Sequence, residues 1–322
     1  MLRLGKLDND DLDRLVLKKF RRIRPESLSS PTIGQDCAVV DLGSDLLVLS
    51  CDPITSASVA HLGRLTVHVS CNDAAAAGAE PVGLLVTLLM PPTGTMEQIA
   101  QIADDLSAAA QLANVDILGG HTEVTDAVTR AVTSATVIAR QSRNQVLRGM
   151  HPGDDIVMTK YAAVEGTTIL AEDFIERLSS VPASLIQAAR SLSGQLSIVP
   201  ESKIAMHHGA VAMHDVTEGG VLGASWELGF ANNCSVEIDT SKIPVLAETR
   251  ALCAALSLDP LRLIGSGSLL IACENGNLLC SALQKAGIPA ALIGKAIAGK
   301  TSFADGAVLE EPHADELYKL YL

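Results

Sequence analysis

Aromatic side chains are nearly absent: one Trp, three Tyr and four Phe make up 2% of the 322 residues. Base stacking therefore has few platforms, and a balance of 24 basic against 37 acidic residues, net −13, repels phosphate backbones. No nucleic-acid role is expected. Long apolar runs are missing too. The densest, Val82 to Met90, is nine residues long and stops at Pro91-Pro92, about half of a membrane span, so no membrane association is expected. The opening residues, Met1 to Asn9, turn polar too early for a secretory signal. The seven cysteines include no CxxC pair and fall mostly within apolar segments, which reads as buried thiols in a reducing cytoplasm instead of a disulfide framework or zinc site. Neither a Walker A motif nor GxGxxG occurs, so any nucleotide site must be of another type.

What is present describes a globular chain. Hydrophobic residues are 48% and charged ones 19%, far from the composition of disordered segments. The length supports two domains of roughly 150 residues, each able to bury a core. In the first half the pattern predicts a helix over 8–20, strands over 38–40 and 46–51, a helix over 62–79, a strand over 83–90, a helix to Ala113 opened by the capping box Thr95 and Gln98, and strands over 115–118 and 130–139. Gln141 to Gly153 then loses all periodicity and marks a domain boundary, giving domains over 1–145 and 150–322. The second half reads as strands over 155–159, 235–238, 268–272 and 290–297, with helices over 165–177, 183–192, 201–208, 219–229 and 278–286. Both halves are α/β.

Several acidic residues fall where strands pass into loops, the usual ligand edge of α/β proteins. Asp36 precedes the first strand, Asp52 ends the second, and Asn72-Asp73 interrupts a helix of small and apolar residues. Three carboxylates in one half-chain could hold Mg²⁺, which takes oxygen ligands and bridges to nucleotide phosphates. Asp36 and Asp52 are equally explained as turn residues, and Asp73 as a solvated helix position. Gly119-Gly120-His121-Thr122-Glu123 reads as a turn after a short strand, where paired glycines let a ligand approach the backbone, or as an ordinary turn. The run His214-Asp215-Val216-Thr217-Glu218-Gly219-Gly220 stands before an apolar helix, whose N-terminus would present free N–H groups to a phosphate; Asp215 or Thr217 could equally be plain caps. Lys160 ends a strand just before a helix start, a second phosphate-facing position.

Taken in order, Gly34-Gln-Asp-Cys-Ala-Val-Val, Asp52-Pro53, Asn72-Asp73 with Gly78 and Pro81, Gly119-Gly-His-Thr-Glu and His214-Asp-Val-Thr-Glu-Gly-Gly resemble the motifs of the PurM-like superfamily. That group comprises AIR synthase, thiamine-monophosphate kinase, selenophosphate synthetase and the hydrogenase-maturation factor HypE. The likeness runs across nearly the whole chain and is closest to the HypE-like, AIR synthase-related proteins, through Gly5-Lys6-Leu7 and Asp259-Pro-Leu-Arg-Leu-Ile. The resemblance implies a two-domain α/β (α+β) fold that dimerises through its N-terminal domains, binds ATP and Mg²⁺, and activates an oxygen by phosphorylation. On matched positions it implies metal binding by Asp36, Asp52 and Asp73. Nucleotide binding falls to Gly34, Asp36, Asn72, Gly119, Gly120, His121, Glu123, Thr217, Gly219 and Gly220, and catalysis to Asp215, Glu218 and Lys160.

Departures narrow the activity. The last cysteine is Cys280 and the chain ends at Leu322, so dehydration of a thiocarbamate on a C-terminal Cys is not expected; the first cysteine, Cys37, lies inside the Asp36 motif, which speaks against selenophosphate synthesis. His121 stands where thiamine-monophosphate kinases carry Asp, and Gln35 where an acidic residue is common. The expected function is transfer of the ATP γ-phosphoryl group to a small oxygen-containing acceptor. The alternatives are a non-catalytic nucleotide-binding scaffold that works with a protein of a maturation complex, and a thiamine-monophosphate-kinase-like kinase. Dimerisation has a second argument: strands 39–40, 46–49 and 83–90 are apolar without alternation, which asks for cover on both faces of their sheet, and Val86 is placed on the face a second copy would cover.

Overall fold

The computed structural model describes residues 9–19, 23–29, 32–35, 37–55, 57–312 and 314–321. The chain divides into two compact units, one of residues 24–29 and 36–146, the other of 1–23, 30–35 and 147–322.

The smaller unit carries β1 (Ala38–Asp41), β2 (Leu46–Ile54), α2 (Val59–Ala76), β3 (Glu80–Met90), α3 (Met96–Ala113), β4 (Asp116–Val124) and β5 (Val132–Gln141); α1 (Asn9–Leu15) belongs to the other unit. Its sheet runs β1-β2-β5-β3-β4, antiparallel except for the parallel β3/β4 pair. Helix α2 lies on β2, β5 and β3, and α3 packs beside it. Ala and other small residues let α2 approach closely, and Thr66 on α2 meets Thr133 on β5 with hydroxyl oxygens 2.5 Å apart. Asp105 of α3 accepts from the Arg64 backbone N–H at 2.7 Å and from its guanidinium Nε at 2.9 Å, joining the two helices.

Along β5 burial alternates strictly: Thr133, Ala135, Val137 and Ala139 lie beneath α2, while Ser134, Thr136 and Ile138 face the other way. Register carries this across the sheet. Val86 pairs with Ala135 and is buried on the helix-covered side, whereas Leu85, beside Thr136, is 44% exposed. Val86 is therefore not on the open face, because a strand's side chains change face at every residue. The open face carries Leu47, Leu49, Leu85, Leu89 and Ile138, and no helix of this unit covers it among the described residues.

The larger unit holds β6 (Asp155–Thr159), α4 (Val164–Asp173), α5 (Ala183–Ser191), α6 (Val199–His207), β7 (Ala210–Asp215), α7 (Gly220–Ala231), β8 (Ser235–Ile238), α8 (Ala247–Leu256), β9 (Leu269–Cys273), α9 (Gly276–Lys285), β10 (Ala290–Ile297) and β11 (Ser302–Phe303). The sheet order is β11-β8-β10-β6-β9-β7. All five residues of β6 and of β9 are buried, so this sheet is covered on both faces. One core packs Ile156, Met158, Leu228 and Val236 between the sheet and α7. A second joins α4, α5 and α8 through Leu170, Phe174, Leu252 and Leu263, and takes in Leu317 and Leu320 from the 3-10 helix Glu316–Leu320.

The expected helix over 165–177 breaks at Phe174 into α4 and a 3-10 turn, and the helix over 8–20 stops as α-helix at Leu15. Strand β7 and helix α8 were not anticipated. β7 is short and ends in the polar pair His214-Asp215, which masks its extended character, whereas α8 is built of good helix formers, Ala-Glu-Thr-Arg-Ala-Leu, a legible signal.

Candidate functional site

In the smaller unit, the two candidate aspartates flank the α2 layer. Asp52 of β2 pairs with Ala135 and shares the face that α2 covers, half-buried. Asn72 and Asp73 lie in the last turns of α2 at 0% and 5% exposure, so Asp73 is not a solvated helix position. Burial, reinforced by the Asp73 charge, pushes the neighbouring Cys71 thiol up to about 12, which keeps it protonated and unsuited to bind a metal. Burial likewise raises Cys253 to about 12 and Cys273 to about 11, as inert core thiols. Among the described residues no group of three or more His, Cys, Asp or Glu is arranged to hold a metal ion. The third expected ligand, Asp36, lies outside the described residues. Asp52 and Asp73 supply the hard carboxylate oxygens Mg²⁺ prefers, and one or two carboxylates with phosphate oxygens suffice for it.

Gly119 to Glu123 form no turn. They continue β4 to Val124, paired in parallel with β3. Gly120 is demanded by geometry: its φ is +145°, and a Cβ there would stand 1.8 Å from the Val86 carbonyl oxygen. β4 is the edge strand and exposed throughout. His121, beside Thr87, and Glu123, beside Leu89, share the open face, with His121 Nε2 3.1 Å from Glu123 Oε2. That places an imidazole–carboxylate pair at the edge of a face that carries Leu47, Leu49, Leu85, Leu89 and Ile138 together with Thr87, Ser134 and Thr136.

In the larger unit, Asp215 ends β7 at 2% exposure, and Thr217 and Glu218 are half-buried in the turn into α7. Gly34 packs against Ala231 and the Glu227 carbonyl near the other end of α7. Three of the N–H groups at this helix start are already bonded within the protein. Gly219 N donates to Asp315 Oδ2 at 2.7 Å, Gly220 N to the Thr217 carbonyl and Leu222 N to the Leu261 carbonyl. Gly220 sits so near the 261–262 backbone that a Cβ would stand 2.6 Å from the Leu261 oxygen. Glu218 Oε1 accepts from the Tyr318 hydroxyl at 2.8 Å. Asp315 and Tyr318 thus belong to the site; nothing in sequence spacing announces them, because they arrive from about 100 residues downstream.

Lys160 corrects another expectation. Its ammonium donates to the Gln195 and Ser197 carbonyls at 2.9 and 2.6 Å and pairs with Glu201 at 2.6 Å. Three donors meet three internal acceptors, so none is left to face a phosphate. Desolvation lowers the Lys160 pKa, opposed by the Glu201 charge.

Two family domains cover these motifs. Residues 34–140 match "AIR synthase related protein, N-terminal domain", and residues 151–306 match the C-terminal domain of the same description. The chain belongs to the AIR synthase related family. Among curated proteins it is 28% identical over 257 residues to the carbamoyl dehydratase HypE of Azotobacter vinelandii, spanning 75% of this chain and 71% of that one. It is 26% identical over 285 residues to the HypE of Escherichia coli, spanning 81% and 79%. Among solved structures, AaThiL complexed with AMPPCP and TMP superposes with a TM-score of 0.76 at 18% identity, covering 97% of this chain and 98% of the other. The HypE–HypF complex gives 0.77 at 18%, covering 94% and 99%. Hydrogenase maturation protein HypE in complex with ATP gives 0.68 at 22%, covering 96% of each. These likenesses show the fold, the two-domain α/β architecture expected of a PurM-like protein.

Proposed function

We propose that this AIR synthase related protein binds ATP with Mg²⁺ and transfers the γ-phosphoryl group to a small oxygen-containing acceptor. The observation that carries the reading is the match of both family domains, one over the Asp52, Asn72-Asp73 and Gly119–Glu123 motifs and one over the Asp215–Gly220 turn. Relatives named carbamoyl dehydratase, and fold neighbours solved with ATP or with AMPPCP and TMP, support nucleotide use. In the transfer, a bond forms between the acceptor oxygen and the γ-phosphorus, the bond to the β,γ-bridging oxygen breaks, and ADP leaves. Mg²⁺, held by Asp52 and Asp73 with Asp36, would neutralise the developing phosphate charge. Glu218, a half-buried carboxylate hydrogen-bonded by the Tyr318 hydroxyl, would accept the acceptor's proton.

Titration calorimetry with ATP and Mg²⁺ is expected to show binding, and Asp73→Asn to weaken it about tenfold or more, roughly 1.4 kcal/mol. No heat at millimolar nucleotide refutes the reading. The acceptor follows from ADP release across a metabolite panel in which thiamine monophosphate and carbamoylated thiols are the first members.

A second reading, a nucleotide-binding scaffold without turnover, is favoured by the full commitment of Lys160 inside its own domain and by the HypE–HypF neighbour. Binding without acceptor-dependent ADP would select it. Either activity is proposed for a cytoplasmic homodimer that pairs through the open sheet face bearing Leu85 and Leu89.

A further inference from the structure

Residues Pro312 to Tyr321 lie beyond the second family domain, which ends at 306, yet they pack on the turn that opens α7. Their 3-10 helix, Glu316–Leu320 with Asp315 as its N-cap, sorts side chains by its three-residue repeat. Leu317 and Leu320 share one face, buried in the core that also holds α4, α5 and α8. Asp315 and Tyr318 share another, and that face meets Glu218 and Gly219.

The segment is held along its length. Asp315 accepts from Gly219 N at 2.7 Å with one carboxylate oxygen and from Leu317 N at 2.8 Å with the other. Glu316 accepts from Asp259 N at 2.9 Å, Arg177 donates to the Leu320 carbonyl at 3.2 Å, and Pro312 packs over Gly219 and Gly223, where an added Cβ would stand 3.5 Å from its own Cβ. Tyr318 therefore projects from an anchored backbone.

Its hydroxyl donates to Glu218 Oε1 at 2.8 Å, and burial together with the Glu218 charge keeps that hydroxyl protonated. Glu218 Oε2 accepts from no described residue. The half-buried carboxylate thus has one oxygen anchored and one left for chemistry. Asp315 holds the backbone of the next residue, Gly219, so the same short helix sets both the side chain and the main chain of this turn. A free glutamate side chain samples many rotamers, and a bond to one oxygen selects among them.

On the transfer reading above, we propose that Tyr318 is a positioning residue for phosphoryl transfer: with Asp315 it holds the Glu218 carboxylate in one orientation, Oε1 bonded and Oε2 presented to the acceptor. As the bond between the acceptor oxygen and the γ-phosphorus forms and the bond to the β,γ-bridging oxygen breaks, the acceptor's proton passes to Oε2 and ADP leaves. A base free to sample several rotamers occupies the reactive one only part of the time, so loss of Tyr318 falls on kcat and not on ATP binding.

ADP formation by the full chain, with Mg²⁺·ATP and thiamine monophosphate, a carbamoylated thiol or water as acceptor, separates the roles. Tyr318→Phe keeps the ring and loses only the hydroxyl. It should lower kcat about tenfold, the worth of one hydrogen bond to a charged group, with KM for ATP unchanged. Glu218→Gln should lower kcat at least as far, and the double variant no further than Glu218→Gln alone, because a residue that acts through Glu218 then has nothing left to act on. Losses that multiply in the double variant overturn the positioning role, as does a normal kcat in Tyr318→Phe beside a slow Glu218→Gln; the transfer reading survives both. A normal kcat in Glu218→Gln removes Glu218 as the base and the positioning role with it. Crystal structures decide the point without turnover: Glu218 should occupy one rotamer in the unaltered protein and several in Tyr318→Phe. The same single rotamer in both overturns the positioning role, even in a protein that forms no ADP.

Discussion

Lys160 shows how burial reassigns a residue. Its position between a strand and a helix start is where phosphate-binding lysines stand, yet at 7% exposure it faces Glu201 at 2%. A buried ion pair adds little net stability over a packed apolar pair, but removing one partner strands the other's charge. Lys160→Met should therefore cost about 3–5 kcal/mol in urea denaturation, and the added Glu201→Leu should recover much of that loss. Preserved stability in Lys160→Met with nucleotide affinity lost would restore the phosphate-facing role. Asp73 shows the opposite outcome. A carboxylate inside a run of alanines reads as an anomaly, and the structure keeps it buried in α2.

At the scale of elements, local chemistry was legible where one or two residues decide it. Thr95 accepts from Gln98 N at 3.2 Å while Gln98 Oε1 accepts from Thr95 N at 3.0 Å, the capping box read from spacing alone. Thr95→Ala should lower the stability of the sheet domain by about 1 kcal/mol, read as a shift in the urea midpoint with an unchanged slope. β4 was harder. Two glycines suggest a turn, and only the β3 neighbour explains why they extend instead, since the Val86 carbonyl occupies the space a side chain would need. Glycine's lack of a Cβ serves turns and close strand contacts alike, so the residue type cannot separate them.

For the whole molecule, the open face of the five-stranded sheet is the feature that asks for a partner. Leu85 is 44% exposed on a face where Leu47, Leu49, Leu89 and Ile138 also stand. Apolar patches of that kind mark interaction surfaces, and a two-fold pairing closes one without leaving another. In the proposed homodimer, Leu85→Glu should give a folded monomer by light scattering with native circular dichroism. Val86→Glu, one residue away but beneath α2, should unfold the domain. A wild-type monomer at micromolar concentration would remove the homodimer from the account.

By itself the amino-acid sequence determined the α/β alternation of both halves, the capping box at Thr95 and the superfamily motifs in their order, each set by residues within a few positions of one another. Tertiary structure alone decided which face of a strand is covered, where the Lys160 ammonium goes, and that Asp315 and Tyr318 meet Gly219 and Glu218. Those outcomes rest on contacts between distant segments, whose partners carry no local periodicity or spacing to announce them. Side-chain alternation fixes two faces on β3, but only the docking of α2 says that Val86 lies inside and Leu85 outside.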